Sequence, residues 1–181
     1  LSNYLSKNRI VKLKLESLQI TNSFKLRGAT NKLLSLDDEQ KQKGVIAVST
    51  GNHGKGVAYA ASALGIQSTI YMSSMVPQYR KEAIEALGAK VEIIGNNSDE
   101  ADLYAKKIAK EQNITLVHPF DDEEVIAGQG TVGLEMLEDF PEVDTVIIPT
   151  SGGGLIGGIA LAIKLQKPSV NIIAVSMERG P

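Results

Sequence analysis

Three short segments of this 181-residue chain carry residue types that could do chemistry together. The first is Thr21-Asn22-Ser23-Phe24-Lys25-Leu26-Arg27-Gly28. Lys25 stands between two large apolar side chains, and Arg27 follows two residues on. An amine held in an apolar site near another cation is easier to deprotonate, and a neutral amine can attack a carbonyl to form an imine. Taken alone, the segment reads as an ordinary surface lysine, and the chemical reading gains ground only from the two segments that follow. The second is Ser49-Thr50-Gly51-Asn52-His53-Gly54-Lys55-Gly56, directly after an apolar run and before a stretch rich in Ala and Val. Short polar side chains and backbone N–H groups at a helix start suit a carboxylate or phosphate oxygen. Asn52 adds an amide that can donate or accept. The alternative is a strand–helix turn with a Ser/Thr cap. His53 by itself reads as a hydrogen-bonded loop residue, and His118, directly before Pro119, as structural.

The third segment is Ser151-Gly152-Gly153-Gly154-Leu155-Ile156-Gly157-Gly158. Its glycines let the backbone approach a ligand closely, and the apolar helix that follows offers unpaired N–H groups and a positive dipole end. Those are the properties of a phosphate cradle. A glycine turn that lets helix and strand pack tightly is the structural alternative. Gly152, Gly154 and Gly157 also fit G-x-G-x-x-G, with Glu178 near the distance at which a dinucleotide fold places its ribose acid. An NAD-linked Rossmann oxidoreductase is therefore a competing reading, although it leaves Lys25 and Asn52 unexplained. A P-loop is weaker, since no Gly-Lys-Ser/Thr follows. Together, the three segments ask for a cofactor with both a phosphate and an aldehyde, and for a substrate with a carboxylate. Pyridoxal 5'-phosphate with an amino acid meets that description.

The elements that must position these residues alternate in kind. Short apolar runs at 10–15, 45–49, 68–72, 91–94, 115–117, 145–148 and 171–176 read as strands. Most are continuous rather than alternating, as expected of strands buried on both faces of a parallel sheet. Between them, 28–35, 56–64, 80–87, 100–111, 123–137 and 155–165 read as helices. The repeated strand–helix–strand unit predicts an α/β fold. Hydrophobic residues make up 43% of the chain, enough for a sizeable core, and 22% are charged, which excludes a disordered chain. Nineteen basic against 21 acidic residues argue against a nucleic-acid binder. No apolar run is long enough to span a bilayer. Cysteine is absent, which removes thiol nucleophiles and disulfides and fits a cytoplasmic protein. Both ends, Leu1 and Pro181, read as cut, so a fragment of a longer protein is expected.

Four motifs occur in an order that resembles one family: Ser23-Phe-Lys-Leu-Arg-Gly-Ala29, Ser49-Thr-Gly-Asn-His-Gly54, Ala127-Gly-Gln-Gly-Thr131 and Ser151-Gly-Gly-Gly-Leu155. They resemble the threonine/serine dehydratase and serine racemase family of fold-type II pyridoxal phosphate enzymes. The resemblance implies two open, twisted, mostly parallel sheets with helices on both faces. It implies a larger cofactor-binding domain, incomplete here, at residues 1–43 and 122–181, and a smaller substrate-side domain at 44–121. Lys25 would be the Schiff-base lysine and the base that takes the α-proton, and Phe24 would wall the cofactor ring. Asn52 would meet the cofactor's 3-hydroxyl. Ser49, Thr50 and His53 would lie around the substrate carboxylate, partly through backbone N–H groups. Gly152, Gly153, Gly154 and Leu155 would donate backbone hydrogen bonds to the phosphate. Gly128-Gln129-Gly130-Thr131 would sit near the cofactor, with no catalytic step assigned.

The activity implied is an ammonia-lyase. β-Elimination from threonine or serine would proceed with the cofactor phosphate as proton donor to the leaving hydroxyl, and the product would hydrolyse to a keto acid and ammonia. Racemases of the family place a serine where this chain has Thr50, and a substrate-pocket arginine near Ala101-Asp102, so racemisation is not expected. Metal-activated members place a glutamate where Ser176 stands, so no metal site is expected. The closing Ser176-Met177-Glu178-Arg179-Gly180-Pro181 resembles the hydroxyectoine-utilisation dehydratase branch. The residue that meets the pyridine nitrogen would lie beyond Pro181. The expected partner is a small amino acid substrate, with a homodimer in keeping with the family and no nucleic acid or membrane. The non-enzymatic alternative is a truncated relative that only binds a ligand or partner.

Overall fold

The computed structural model describes residues 9–178. Arg179, Gly180 and Pro181 of the closing motif, and the first eight residues of the expected larger domain, lie outside them. Two parallel sheets organise the chain. The first has four strands in the order β3-β2-β1-β4: β1 (Val45–Val48), β2 (Ser68–Met72), β3 (Lys90–Ile93) and β4 (Thr115–Leu116). Val45 pairs with Ser68 on one side and Thr115 on the other. The second sheet pairs β5 (Thr145–Pro149) with β6 (Asn171–Val175), Thr145 opposite Asn171.

Seven helices complete the fold among the described residues: α1 (Lys25–Ser35), α2 (Asp38–Lys43), α3 (Asn52–Ala63), α4 (Gln78–Glu85), α5 (Ser98–Gln112), α6 (Glu123–Asp139) and α7 (Gly154–Gln166). Side chains along a strand point alternately to opposite faces, and the first sheet shows the result. Val45, Ala47, Ile70 and Met72 enter a core with Leu26 and Leu33 of α1, Val57 of α3 and Ile84 of α4. Ile46 and Tyr71, one residue out of phase, join Tyr104, Ala105 and Ile108 of α5 on the other face. Both faces are covered, which is why β1 reads as an unbroken apolar run. The second sheet is covered differently: Val146 and Ile148 enter a core with Val132 of α6 and Ile159 and Ile163 of α7, whereas Ile147 and Ile173 stand exposed.

Residues 10–15, expected as a strand, form none. Their lysines instead fasten the segment to α6: Lys14 pairs with Glu135 and Asp139, each at 2.8 Å. Ile10, Leu13 and Leu15 stay exposed, so the spacing of apolar residues there marks neither a ladder nor a buried face, and the lysines make the contact. Helix α2 was not anticipated, because Asp-Glu-Gln-Lys-Gln-Lys has no apolar stripe. It forms on a capping box, in which Asp37 accepts from the Gln40 amide while Gln40 accepts from that of Asp37.

Candidate active site

The strand order sets where a ligand would bind. From β1 the chain steps outward to β2 and β3, then returns through α5 to β4 on the opposite side of β1. Loops leaving β1 and β4 therefore diverge, and the crevice at the carboxyl ends of two such strands is where open α/β sheets take ligands. The 49–52 loop leaves β1, and residues 117–122 leave β4.

Lys25 is the first residue of α1, entered through a turn in which Asn22 adopts φ 58° and Ser23 Oγ accepts the Lys25 amide at 3.3 Å. Its Nζ donates to the Pro119 carbonyl at 2.6 Å and stands 5.3 Å from the centre of the Phe24 ring. Helix α3 comes against its backbone at Gly56, where a Cβ would meet the Lys25 carbonyl at 3.1 Å. Burial lowers the pKa of the amine from its ordinary value. That is the direction a nucleophile and proton acceptor needs.

The expected role of Arg27 in this shift is corrected by the structure. Two residues on a helix are about 200° apart, and the guanidinium turns away from the amine. It forks onto Glu16, at 2.7 and 2.9 Å, and onto Glu135, at 2.5 and 2.8 Å, and donates to Thr131 Oγ1 at 3.0 Å. Desolvation alone lowers the Lys25 pKa. Arg27 serves as a clamp between α1, α6 and the turn at Glu16–Leu18.

Lys25 and Phe24 share a cleft of about 550 Å³ with Phe120, Pro149, residues 150–156 and residues 175–177. The triple glycine forms the opposite wall. Gly153 adopts φ 90°, a left-handed conformation that disfavours any other residue, and a Cβ added there would meet open space. A Cβ on Gly152 would strike the Phe120 ring, and one on Gly154 would lie 2.9 Å from the Phe120 backbone. The packing alternative thus holds for Gly152 and Gly154, which admit Phe120, while Gly153 turns the chain into α7. The first amide of α7 to find a helical acceptor is that of Gly157, on Gly153 O at 2.8 Å. The amides before it sit at the positive end of the helix, the donor set an anion needs. The amine, the ring wall and this anion cradle line one cleft, and these residues fit pyridoxal 5'-phosphate.

The remaining expected site residues lie at the start of α3, outside the lining of this cleft. Asn52 is exposed at the helix N-terminus, and Ser49 Oγ accepts the Gly51 amide at 3.2 Å. Arg80 of α4 donates to the Thr50 carbonyl at 3.2 Å. His53 points inward: Nε2 donates to Val117 O at 2.8 Å, Nδ1 is buried without a partner, and burial pushes its pKa down to about 4. Only its backbone N–H is left for a carboxylate. Sequence reasoning missed Pro119 and Phe120 entirely. The signal was a short strand followed by Pro-Phe and the helix-capping Asp122, whose side chain accepts the Val125 amide at 3.0 Å.

The Gly128-Gln129-Gly130 segment has a packing explanation. A Cβ on Gly128 would lie 2.6 Å from the Gly28 Cα, and one on Gly130 3.0 Å from the Gly158 carbonyl. Helix α6 therefore meets α1 and α7 backbone to backbone. Gln129, fully buried between them, accepts the Gly28 amide through Oε1 at 3.2 Å. The NAD-linked reading fails at the same place. Its third glycine must pack closely, yet a Cβ on Gly157 would meet only Ile126, at 3.8 Å.

Comparison with known proteins agrees with this cofactor. A family model described as pyridoxal-phosphate dependent enzyme matches residues 1–181. The catabolic L-threonine dehydratase TdcB of Staphylococcus aureus (strain USA300) is 52% identical over 178 residues, a match covering 98% of this chain and 51% of that protein. The chain thus spans about half the length of the curated relatives it matches. The processed form of threonine deaminase isoform 2 from Solanum lycopersicum superposes with a TM-score of 0.88 at 41% identity, over 90% of this chain and 45% of its own. Maize serine racemase follows with a TM-score of 0.85 at 42% identity, over 89% and 49%. With a family model matched over its whole length and relatives at this identity, the chain belongs to the pyridoxal-phosphate dependent enzyme family.

Proposed function

We propose that the protein is an ammonia-lyase that eliminates the β-hydroxyl of a hydroxy amino acid such as threonine or serine. The carrying observation is a half-buried amine of lowered pKa in the same cleft as the glycine-rich start of a helix. When bound, pyridoxal phosphate supplies the electron sink that stabilises negative charge at the substrate α-carbon. Lys25 Nζ holds the cofactor and takes the α-proton. The amides of Gly152, Gly153, Gly154 and Leu155 hold the phosphate, and Phe24 walls the ring. From the start of α3, whose Gly56 packs on the Lys25 backbone, Asn52 would meet the 3-hydroxyl, while the loop of Ser49 and Thr50 and the His53 amide would receive the carboxylate. The threonine dehydratase and threonine deaminase names of the relatives support the choice of substrate class. The cysteine-free composition suits a cytoplasmic setting.

The test is borohydride reduction of the full-length protein loaded with pyridoxal phosphate, followed by peptide mapping. A stable adduct on Lys25 is expected, together with keto acid release from threonine or serine. Lys25→Ala should lower that release by roughly 10²–10⁴-fold, the usual contribution of a positioned proton acceptor. An adduct on a different lysine, or none, rules the reading out.

A further inference from the structure

Residues 117–122 reach the Lys25 amine, the glycine bend and the start of α6, yet the sequence assigns none of them a function. His53 Nε2 holds the Val117 carbonyl from below at 2.8 Å. The Pro119 carbonyl receives the Lys25 amine. The Phe120 ring lies on Gly152 and the Phe120 backbone on Gly154. Asp122 caps α6 and pairs with Lys32 of α1 at 2.7 Å. At the centre, His118 Nδ1 accepts the Asp121 amide at 2.8 Å and the Phe120 amide at 3.4 Å. Its ring stands edge-on to Phe120, with centroids 4.7 Å apart and planes at 83°.

A backbone amide can only donate, so Nδ1 must present its lone pair. Two amides closing onto one ring nitrogen fold the chain into a tight turn around Pro119. The turn fixes the direction of the Pro119 carbonyl, which has no side chain of its own to steer it. We propose that His118 is a positioning residue: by closing this turn it aims the Pro119 carbonyl at Lys25 and so sets where the free amine rests. The inference builds on the proposed function for its purpose, since a lysine released from its cofactor must stay beside the reacting carbon. Attachment of a cofactor to the amine would mask this contact.

The experiment therefore uses cofactor-free, full-length protein. Limited acetylation, read by peptide mass, gives the labelling rate of Lys25 against exposed lysines such as Lys110 in the same sample. His118→Asn keeps an acceptor at the Nδ1 position, whereas His118→Gln and His118→Ala do not. In the Gln and Ala variants Lys25 should label roughly three- to tenfold faster than in the unaltered protein, as loss of one hydrogen bond implies. The Asn variant should stay within about twofold of the unaltered rate. A purely structural histidine would not separate Asn from Gln in this way. Equal Lys25 rates in all four proteins, or Asn behaving like Gln, overturns the inference. If Ala fails to fold, the Asn and Gln pair decides. Failure of cofactor attachment would sink the proposed function without touching this result.

Discussion

His53 shows what a single buried side chain does to the pH response of this protein. Its ring is locked neutral in the fold, with a pKa near 4 against an ordinary 6.5, chiefly through desolvation. The unfolded chain takes up the proton first. As pH falls from 6.5 toward 4 the unfolded state is favoured, and about 3 kcal/mol of stability is lost across that window before the effect levels off. Glu135 acts lower down. Arg27 holds its carboxyl at about 2 against an ordinary 4.5, so its contribution is intact above 4.5 and lost as pH falls toward 2. Melting curves of the unaltered protein and of His53→Gln should diverge between pH 7 and 4, with the variant flatter. Parallel curves would mean that His53 is not buried neutral.

At the scale of elements, the helix crossings decide tolerance to substitution. A Cβ on Gly158 would run into the Ile126 carbonyl and lie 2.7 Å from the Gly130 amide, and neither backbone atom can rotate away. Gly158→Ala should cost about 3 kcal/mol in denaturant unfolding, at the upper end for overpacking. Gly65 adopts φ 68° in open space, so Gly65→Ala meets only the left-handed penalty of roughly 1–2 kcal/mol. A smaller loss at Gly158 than at Gly65 would contradict the close approach. Sequence reasoning placed β1, β2 and the two glycine-rich turns because each announces itself locally, through a β-branched run or a break in periodicity. It could assign no role to Gly128-Gln129-Gly130, since the partners Gly28 and Gly158 are distant in the chain and only folding makes them neighbours. Residues 10–15 misled for the related reason that a docked extended segment and a strand share the same alternation.

For the molecule as a whole, the second sheet is the uneven part. Ile147, Ile173 and Val175 are 65%, 44% and 51% exposed on one face, while Val146 and Ile148 are buried on the other. Contiguous apolar surface of this kind binds hydrophobic dyes and promotes association. The 181-residue chain should brighten an anilinonaphthalene dye and sediment as larger species at higher concentration. Ile147→Lys with Ile173→Glu should reduce both while leaving the melting temperature within a few degrees. Undiminished dye binding would place the sticky surface elsewhere. The active-site order was legible from four motifs, but the cleft was not. Phe120 and Pro119 come from a connection whose composition says only that a strand has ended.

The glycine crossings also act as a gauge. From Lys25 to Gly154 the route runs through α1, α6 and α7, and at each junction, Gly28 on Gly128 and Gly130 on Gly158, polyamide rests on polyamide. Backbone packed on backbone leaves little slack, so the separation between the starts of α1 and α7 is machined rather than sprung. A vitamer whose phosphate arm is one carbon longer should be refused outright, and no loosening of the surrounding side chains would readmit it.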